Sequence, residues 1–359
     1  MQRQATVSPA QWWHLTGLSR LIRDTRRRRG EPSDQAGKAI VWAPRWSPSL
    51  ALLQSVWTAP VPGVRVPLSY VASNEKRPVG LGQIRPRREP HQWEVAYLAV
   101  EALAAGTNGS LRLVPDRNAA RLLGELCDAA IARHADRVLA RVAADGGRYE
   151  LFRQLGFSLA VREYSYFRTL PPPSPESAAP AQELAKRIHG LRPQHGADAP
   201  GLLRLYEKTT PKMIQLVEGK RSQSWDLMPV GIGLRLTRRS GVQRWVVERD
   251  GERLAWLQIQ RLARGPQQVR ILVDDRAGEL NQSLVDFALD VLGPQEVGGV
   301  MVRVREHQPR LIAALEATQF FLVDAQLLMA KMLATPVLRP RFGRVLEKVV
   351  YSYLSAFAA

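Results

Sequence analysis

The sequence has few of the residues that build disulfide frameworks or metal sites. It contains a single cysteine, Cys127, which excludes an intrachain disulfide framework. The apolar helical pattern around Cys127 favours a small buried thiol over a nucleophile. The six histidines are dispersed, and no pair has the spacing of metal ligands. We therefore expect no metal site.

Long apolar runs are also missing. No segment approaches the roughly 20 apolar residues that a membrane-spanning helix needs. The N-terminal residues contain tryptophans, a histidine and an arginine run, but no apolar region of a signal peptide. Phosphate-loop, dinucleotide-binding and G-x-S-x-G fingerprints are absent too. The sequence thus predicts a cytoplasmic protein without a membrane span.

Acidic residues are scarce relative to basic ones. The chain has 33 Asp and Glu against 51 Lys and Arg, so its formal net charge is +18. This excess suggests an acidic partner, such as nucleic acid or a phosphate-rich cofactor. A solvated basic surface is the equal alternative, because arginine is scattered along the whole chain. The densest cluster, residues 26–29, is interpreted as a solvated loop after a helix that begins at Ser8 and Pro9.

The order of predicted elements occurs twice along the 359 residues, which suffice for two domains. Each half has strands in succession, followed by helix, strand, helix and strand. In the first half these elements are strands at 64–72, 79–84 and 93–100, a helix at 118–133, a strand at 138–142, a helix at 147–155 and a strand from 157. In the second half they are helices near 202–206 and 211–218, a hairpin turning at 250–251, a strand at 269–273, a helix at 280–291, a strand at 300–304, a helix from 309 and a strand at 320–332.

A segment rich in proline and alanine separates the two halves. We predict an N-terminal domain at 1–168, a linker at 169–196, a C-terminal domain at 197–335 and an amphipathic helix within 336–359. The last helix has a broad apolar face, which indicates packing on a domain or on a second copy in a homodimer.

The run Leu151-Phe152-Arg153-Gln154-Leu155-Gly156-Phe157 matches a helix-to-strand joint usually written L-Y-x-x-x-G-F. With the order of elements around it, this joint resembles the GCN5-related N-acetyltransferase fold. The resemblance covers nearly the whole chain as two tandem copies. It implies an α+β (α/β) fold of two acetyltransferase-like domains, each a mixed, mainly antiparallel sheet flanked by helices. In the second copy Gln319 replaces the glycine of the joint.

The resemblance implies acyl transfer, usually acetyl, from coenzyme A to an amine, with acetyl-CoA as co-substrate and no metal. The residues it places at the cofactor are Val100, Arg117, Asn118, Ala119, Ala120, Arg121 and Phe152. Both glycines of the family's pyrophosphate loop are missing at these positions. The matching stretch of the second copy, 274–279, carries three carboxylates that would repel a pyrophosphate, so the N-terminal copy is the expected cofactor site.

Candidate catalytic groups follow from the same resemblance. Glu94 and Glu101 flank the strand end that borders the acceptor, and either is a candidate base. Tyr149 is a candidate proton donor to the thiolate, since Phe152 occupies the family's tyrosine position and cannot donate. The acceptor would be an amine of a small molecule or a protein. One alternative is a catalytically inactive binding protein with a basic surface for nucleic acid or the ribosome. Another is an acetyltransferase whose acceptor is carried on RNA.

Overall fold

The computed structural model describes residues 5–10, 14, 66–74, 77–87, 89, 91–100, 117–144, 148–170, 181–225, 241–262, 265–293 and 298–333. The strands are β1 (Thr6–Pro9), β2 (Leu68–Asn74), β3 (Arg77–Pro86), β4 (Gln92–Val100), β5 (Arg137–Ala143), β6 (Ser158–Thr169), β7 (Leu191–Pro193), β8 (Val242–Arg249), β9 (Glu252–Gln260), β10 (Gln267–Val273), β11 (Gly299–Arg305) and β12 (Phe321–Met332). The α-helices are α1 (Arg117–Ile131), α2 (Tyr149–Gln154), α3 (Ala181–Ala185), α4 (Ala199–Thr209), α5 (Lys212–Glu218), α6 (Leu280–Leu292) and α7 (Pro309–Ala317).

All the described strands join in one mixed sheet. Its order is β1-β2-β3-β4-β5-β12-β6-β11-β10-β9-β8-β7. Two neighbouring pairs, β4 with β5 and β10 with β11, are parallel, and each is connected through a helix on the sheet. The remaining pairs are antiparallel, as hairpins and meanders allow. The predicted α+β class, with mixed sheet and flanking helices, is confirmed.

The two halves of the sheet repeat the same sequence of elements. Strands β2 to β5 with α1 match β8 to β11 with α6, and the joints from α2 to β6 and from α7 to β12 also correspond. Gly156 and Gln319 occupy the same place in these joints, and both have a positive φ, 81° and 61°. Glycine adopts this conformation freely, whereas for another residue the conformation lowers the stability of the fold by about 1 kcal/mol. The second copy therefore keeps the geometry of the joint after losing its glycine.

The last strand of each half lies beside the other half. β12 sits between β5 and β6, so that Leu327 opposes Val142 on one side and Arg162 on the other. β6 in turn lies between β12 and β11. This exchange makes one continuous sheet out of two repeated units, a connection that the sequence pattern did not predict. The predicted domain boundaries stay a prediction.

Helices α1 and α6 cover one face of the sheet, here called the helix face. Buried Leu122 and Leu126 of α1 pack on the first half, and Leu284 and Phe287 of α6 pack on the second. The opposite face, here called the back face, carries α4, α5 and the turn Ser222–Trp225. Successive side chains along each strand point to these two faces in turn. This alternation explains why apolar residues recur at every second position in the predicted strands.

The structure corrects one predicted element and adds others. The helix predicted to begin at Ser8 and Pro9 is wrong there, because Thr6–Pro9 is strand β1, paired antiparallel with β2. Proline is tolerated because β1 is an edge strand. Within the segment predicted to be a linker, α3 and β7 are folded, and Leu184 and Ala185 of α3 are buried in the core of the second half. The predicted C-terminal helix lies outside the described residues.

Candidate cofactor cleft and buried charge network

Strands β4 and β5 pair only at their beginnings. Their parallel register runs over Gln92–Glu94 against Arg137–Leu139 and then ends, while β4 continues to Val100. At this point the register of β4 with β3 slips by one residue at Ala96, which forms a β-bulge. Bulges bend a strand and often accompany functional sites. Beyond Glu94 the edge of β4 that faced β5 therefore has no strand partner among the described residues, and we call this stretch of edge the β4–β5 splay.

The start of α1 lies close to the end of β4. A Cβ atom added to Gly80 would lie 2.6 Å from Val100 and 2.8 Å from Leu122, so glycine is what lets strand and helix approach. Arg117 is the first residue of α1 and is exposed, and the first turn carries no acidic residue. The dipole of such a helix end favours an anion.

Some of the residues that the resemblance assigned to the cofactor lie near the β4–β5 splay, and the others are buried or directed elsewhere. Arg117, Asn118, Ala120 and Val100 keep at least partial exposure near the splay. Ala119 and Phe152 are buried, and the Phe152 ring makes an edge-to-face contact with Phe157 at 5.1 Å. Arg121 donates to the carbonyl oxygen of Ala5 at 2.6 Å, so its charge is directed at β1. The structure thus brings only part of the predicted set to the splay.

Arg148 was not singled out in the sequence, yet it reaches into the splay. Its Nη1 donates to the carbonyl oxygen of Leu98 at 2.9 Å, across the gap between α2 and the open edge of β4. An arginine directly before a short helix is the only sequence signal for this contact. A ligand that pairs with the edge of β4 has to displace Arg148 from Leu98.

An arginine also contacts the corresponding place in the second half. β10 and β11 also separate after three pairs, but β10 shows no bulge against β9. Arg310 of α7 donates to the carbonyl oxygen of Asp275 at 2.5 Å, and a Cβ on Gly278 would lie 2.2 Å from its Nη1. The exposed guanidinium of Arg310 therefore lies against the turn before α6, next to Asp275. That coenzyme A is not held in the second copy stays a prediction.

Glu94, the first candidate base, is a buried ion-paired carboxylate on the back face. Its oxygens contact Arg85 at 2.9 Å and Arg141. Burial alone would raise the pKa of Glu94, but the charges of Arg141, Arg87 and Arg85 outweigh burial and hold the pKa at about 2. A carboxylate held so strongly in its charged form is a poor proton acceptor, so Glu94 is better understood as part of an ion-pair network.

The network continues into the second half of the sheet. Arg141 also binds Glu163 at 2.7 Å, Glu163 contacts Arg305 at 3.4 Å, and Arg305 pairs with Glu218 at the end of α5. Burial raises the pKa of Glu163, but Arg141, Arg305 and Arg303 lower it to about 2. Each of these buried carboxylates is thus paired with at least one arginine from the sheet.

Residues of the first half also cap the C-terminal end of α5. Gln92 donates through Nε2 to the carbonyl oxygen of Glu218 at 2.7 Å, and Arg137 donates to the carbonyl oxygen of Leu216. Carbonyl groups at a helix C-terminus have no partner within the helix, so these donors stabilise it. The two halves are therefore joined by capping as well as by strand exchange.

The other candidates are placed as follows. Tyr149 is partly buried against the core under α1, and Glu101 lies outside the described residues. Tyr166 donates to Glu316 at 3.0 Å on the helix face.

Among the described residues no group of histidine, cysteine and carboxylate side chains could hold a metal ion. No helix in the same part of the chain is long and apolar enough to cross a bilayer.

Comparison with known proteins gives a result at the level of the fold. No family model matches the sequence, and no curated protein matches it. A solved GCN5-related N-acetyltransferase from Sphaerobacter thermophilus aligns with 92% of this chain and 96% of its own, at 14% identity and a TM-score of 0.50. A tandem GNAT protein from the clavulanic acid biosynthesis pathway aligns with 91% of this chain and 98% of its own, at 13% identity and a TM-score of 0.49. The chain therefore has the fold of the GCN5-related N-acetyltransferase superfamily, as the joint at residues 151–157 indicated.

Proposed function

We propose that the chain is an N-acyltransferase that uses an acyl-coenzyme A, acetyl-CoA in the simplest case, in the β4–β5 splay. The observation that carries the proposal is the difference between the two copies. In the first copy β4 is bulged beside the start of α1, whereas in the second β10 pairs with β9 without a bulge and Arg310 contacts the carbonyl oxygen of Asp275. Coenzyme A supplies the activated acyl thioester.

The chain's own groups have defined parts in this proposal. The N–H groups at the start of α1 and the charge of Arg117 would neutralise phosphates. The open edge of β4, including the carbonyl of Leu98, would accept an extended ligand in the manner of an added strand. Because Glu94 is held between arginines, we assign the base to Glu101, the residue that follows β4.

Calorimetric titration with acetyl-CoA tests this proposal. We expect one binding site per chain, and we expect Arg117→Glu to weaken binding about tenfold, because a charge-assisted contact becomes a repulsion. Lys212→Glu is the matched control, since Lys212 is likewise an exposed first residue of a helix, and it should leave the affinity unchanged. Absence of heat and of any melting shift with acetyl-CoA would refute the proposal. If Arg117→Glu bound acetyl-CoA as tightly as the wild type, the assignment of the cofactor site to the start of α1 would be wrong.

A non-catalytic binding protein is the second candidate. The hydrogen bond from Arg148 to Leu98 and the side chains of Arg121 and Leu123 at the glycine positions favour it, because both restrict the approach of a cofactor to the backbone. Its +18 charge would then serve nucleic acid. Retention on an RNA column that falls steeply with salt, together with no response to acetyl-CoA, would support this candidate.

A further inference from the structure

One carboxylate on the back face takes part in no ion pair among the described residues. Asp324 of β12 is partly exposed, and its Oδ2 atom accepts a hydrogen bond from Nε2 of Gln326 at 2.6 Å. Leu328 and Ala330, further along β12, pack with α5 on the back face, so alternation places Asp324 on that face too.

The absence of a cationic partner distinguishes Asp324 from the buried charge network. The carboxylates of that network are each paired with an arginine. The cation in the same row of the sheet as Asp324 is Arg303 of β11, and the buried Ser165 of β6 lies between them in the register. In a chain with 51 Lys and Arg, Asp324 thus keeps a negative charge that an external cation can use.

The side chain that orients Asp324 also has an acceptor without a donor. Gln326 is only 3% exposed, and its Oε1 atom is buried without a hydrogen-bond partner among the described residues. Its Nε2 atom is committed to Asp324. A buried acceptor without a donor is unfavourable and needs an explanation. An ammonium group bound at Asp324 brings three N–H donors to this place.

An exposed apolar run directly precedes Asp324. Phe321, Leu322 and Val323 are 53%, 51% and 45% exposed. Val323 is the extra residue of a β-bulge in the pairing of β12 with β6. Bulges often accompany functional sites, and consecutive exposed apolar side chains are unfavourable unless they serve a function. The start of β12 therefore combines an apolar surface with an unpaired carboxylate.

Phe321 is the neighbour of Asp324 on the back face. Its ring contacts the ring of Phe167 of β6 edge-to-face at 5.5 Å, and Phe167 is two residues from Ser165, the strand partner of Asp324. Side chains two residues apart on a strand are separated by about 7 Å. A Cβ atom on Gly299 would lie 2.5 Å from the Phe167 ring, so glycine gives this ring its place. The carboxylate and the two rings thus face the same side.

These residues lie at the end of the sheet where the β4–β5 splay is found. Gln326 pairs with Ala143, the last residue of β5, so Asp324 lies just beyond the end of β5. β4 is parallel to β5 and continues past their paired residues to Val100. The end of β4 and the start of β12 therefore lie on either side of the end of β5, roughly 10 Å or more apart.

We propose that Asp324, Phe321 and Phe167, here called the Asp324 site, bind a small amine that has an apolar body. The carboxylate of Asp324 pairs with the ammonium group, and the two rings contact the apolar body. On the proposed function, on which this identification rests, the amine is the acyl acceptor. The second copy then contributes acceptor recognition to the cofactor site of the first copy.

Calorimetric titration of the full chain with 2-phenylethylammonium tests the Asp324 site. The titration is done without coenzyme A and again with saturating coenzyme A, which has no acyl group to transfer. We expect one binding site per chain. Neutral 2-phenylethanol has the same apolar body and should bind about tenfold more weakly, because it cannot form the charge-assisted contact.

A matched pair of variants isolates the carboxylate. Asp324→Asn should weaken amine binding about tenfold, while the new amide oxygen can still accept from Gln326. Asp286→Asn is the control, because Asp286 also accepts from a glutamine, Gln282 at 3.1 Å, but is exposed on α6. It should bind the amine as tightly as the wild type.

A second pair of variants isolates the apolar contact. Phe321→Ala should weaken binding of 2-phenylethylammonium about fivefold, because the exposed ring no longer covers the apolar body of the ligand. Met213→Ala, at another exposed apolar residue, should leave the affinity unchanged.

The melting midpoint without ligand separates binding from a structural role. Because Asp324 is in no ion pair, Asp324→Asn should melt within about 1 °C of the wild type. A clearly lower midpoint would identify a structural carboxylate and overturn the proposal.

Three further results would also overturn it. The first is no binding of the amine, either with or without coenzyme A. The second is equal binding of 2-phenylethanol or unchanged binding by Asp324→Asn. The third is self-association of the chain that Phe321→Ala abolishes, without any response to the amine, which would assign the apolar run to a second copy of the chain.

The titration without coenzyme A lets the two proposals fail separately. Amine binding at Asp324 without any binding of acetyl-CoA would retain the Asp324 site and refute the acyltransferase. Binding of acetyl-CoA without any response to the amine would do the reverse.

Discussion

Separated at residue 180, the two parts of the chain should each fail to fold. Residues 1–180 lack β12, which in the intact chain lies between β5 and β6. This strand supplies Leu327, Leu328 and Met329, all buried against the first half. Losing three such side chains costs about 2–5 kcal/mol each, comparable with a whole net stability of about 5–15 kcal/mol. Circular dichroism during heating should show no cooperative transition for either part.

Two comparisons make this prediction specific. Co-expression of residues 1–180 with residues 181–359 should restore a cooperative transition, because the exchanged strands can then pair. A folded full chain that is cut within 171–180 should stay assembled, since no strand of the described sheet lies in that segment. A cooperative transition for isolated 1–180 would show that β12 is not needed and would contradict the exchange.

Replacing Arg141 by methionine should destabilise the chain by about 3–5 kcal/mol, because it leaves buried carboxylates without a partner. The Arg141 guanidinium binds Glu94 and Glu163, whose side chains are only 10% and 4% exposed. Urea unfolding at pH 7 measures the change. Arg153→Met is the control, because Arg153 and Glu150 form an exposed pair whose loss should have no measurable effect.

The same variant has a predicted pH dependence. Glu94 and Glu163 have pKa values of about 2 in the folded chain, against an ordinary value of 4.5. Their pairing with Arg141 therefore stabilises the fold fully above pH 4.5, and this stabilisation is lost as the pH falls towards 2. The difference in unfolding free energy between wild type and Arg141→Met should be constant near pH 7 and should shrink below pH 4.5. A difference that does not depend on pH would contradict the assigned ion pairs.

The repeated order of elements was predictable because it depends on local patterns. Helix α2 ends at Gly156, whose φ is 81°, and the alternation in β10 reflects one buried face. The exchange of β6 and β12 was not predictable, because an apolar strand pattern does not specify which strand will pair with it. The error at Ser8 and Pro9 is of the same kind, since a capping pattern and an edge strand share these residues.

Only part of the candidate site was predictable from the sequence, because side-chain partners that are distant in the chain are not visible in local patterns. A carboxylate inside a strand, such as Glu94, signals either chemistry or an ion pair, and the sequence does not distinguish them. Its partner Arg141 lies 47 residues away and meets it only because β4 and β5 are neighbours in the sheet. Arg148 was missed because its significance depends on what surrounds it, in a chain where arginine is common.

The claim that the first copy holds the cofactor is tested most directly by a crystal structure of the full chain grown with acetyl-CoA. The account predicts ligand density along the open edge of β4, with Arg148 displaced from the carbonyl of Leu98, and none before α6. Density at the start of α6 with Arg310 displaced would contradict it, as would an Arg148 that keeps its bond to Leu98 with no ligand bound.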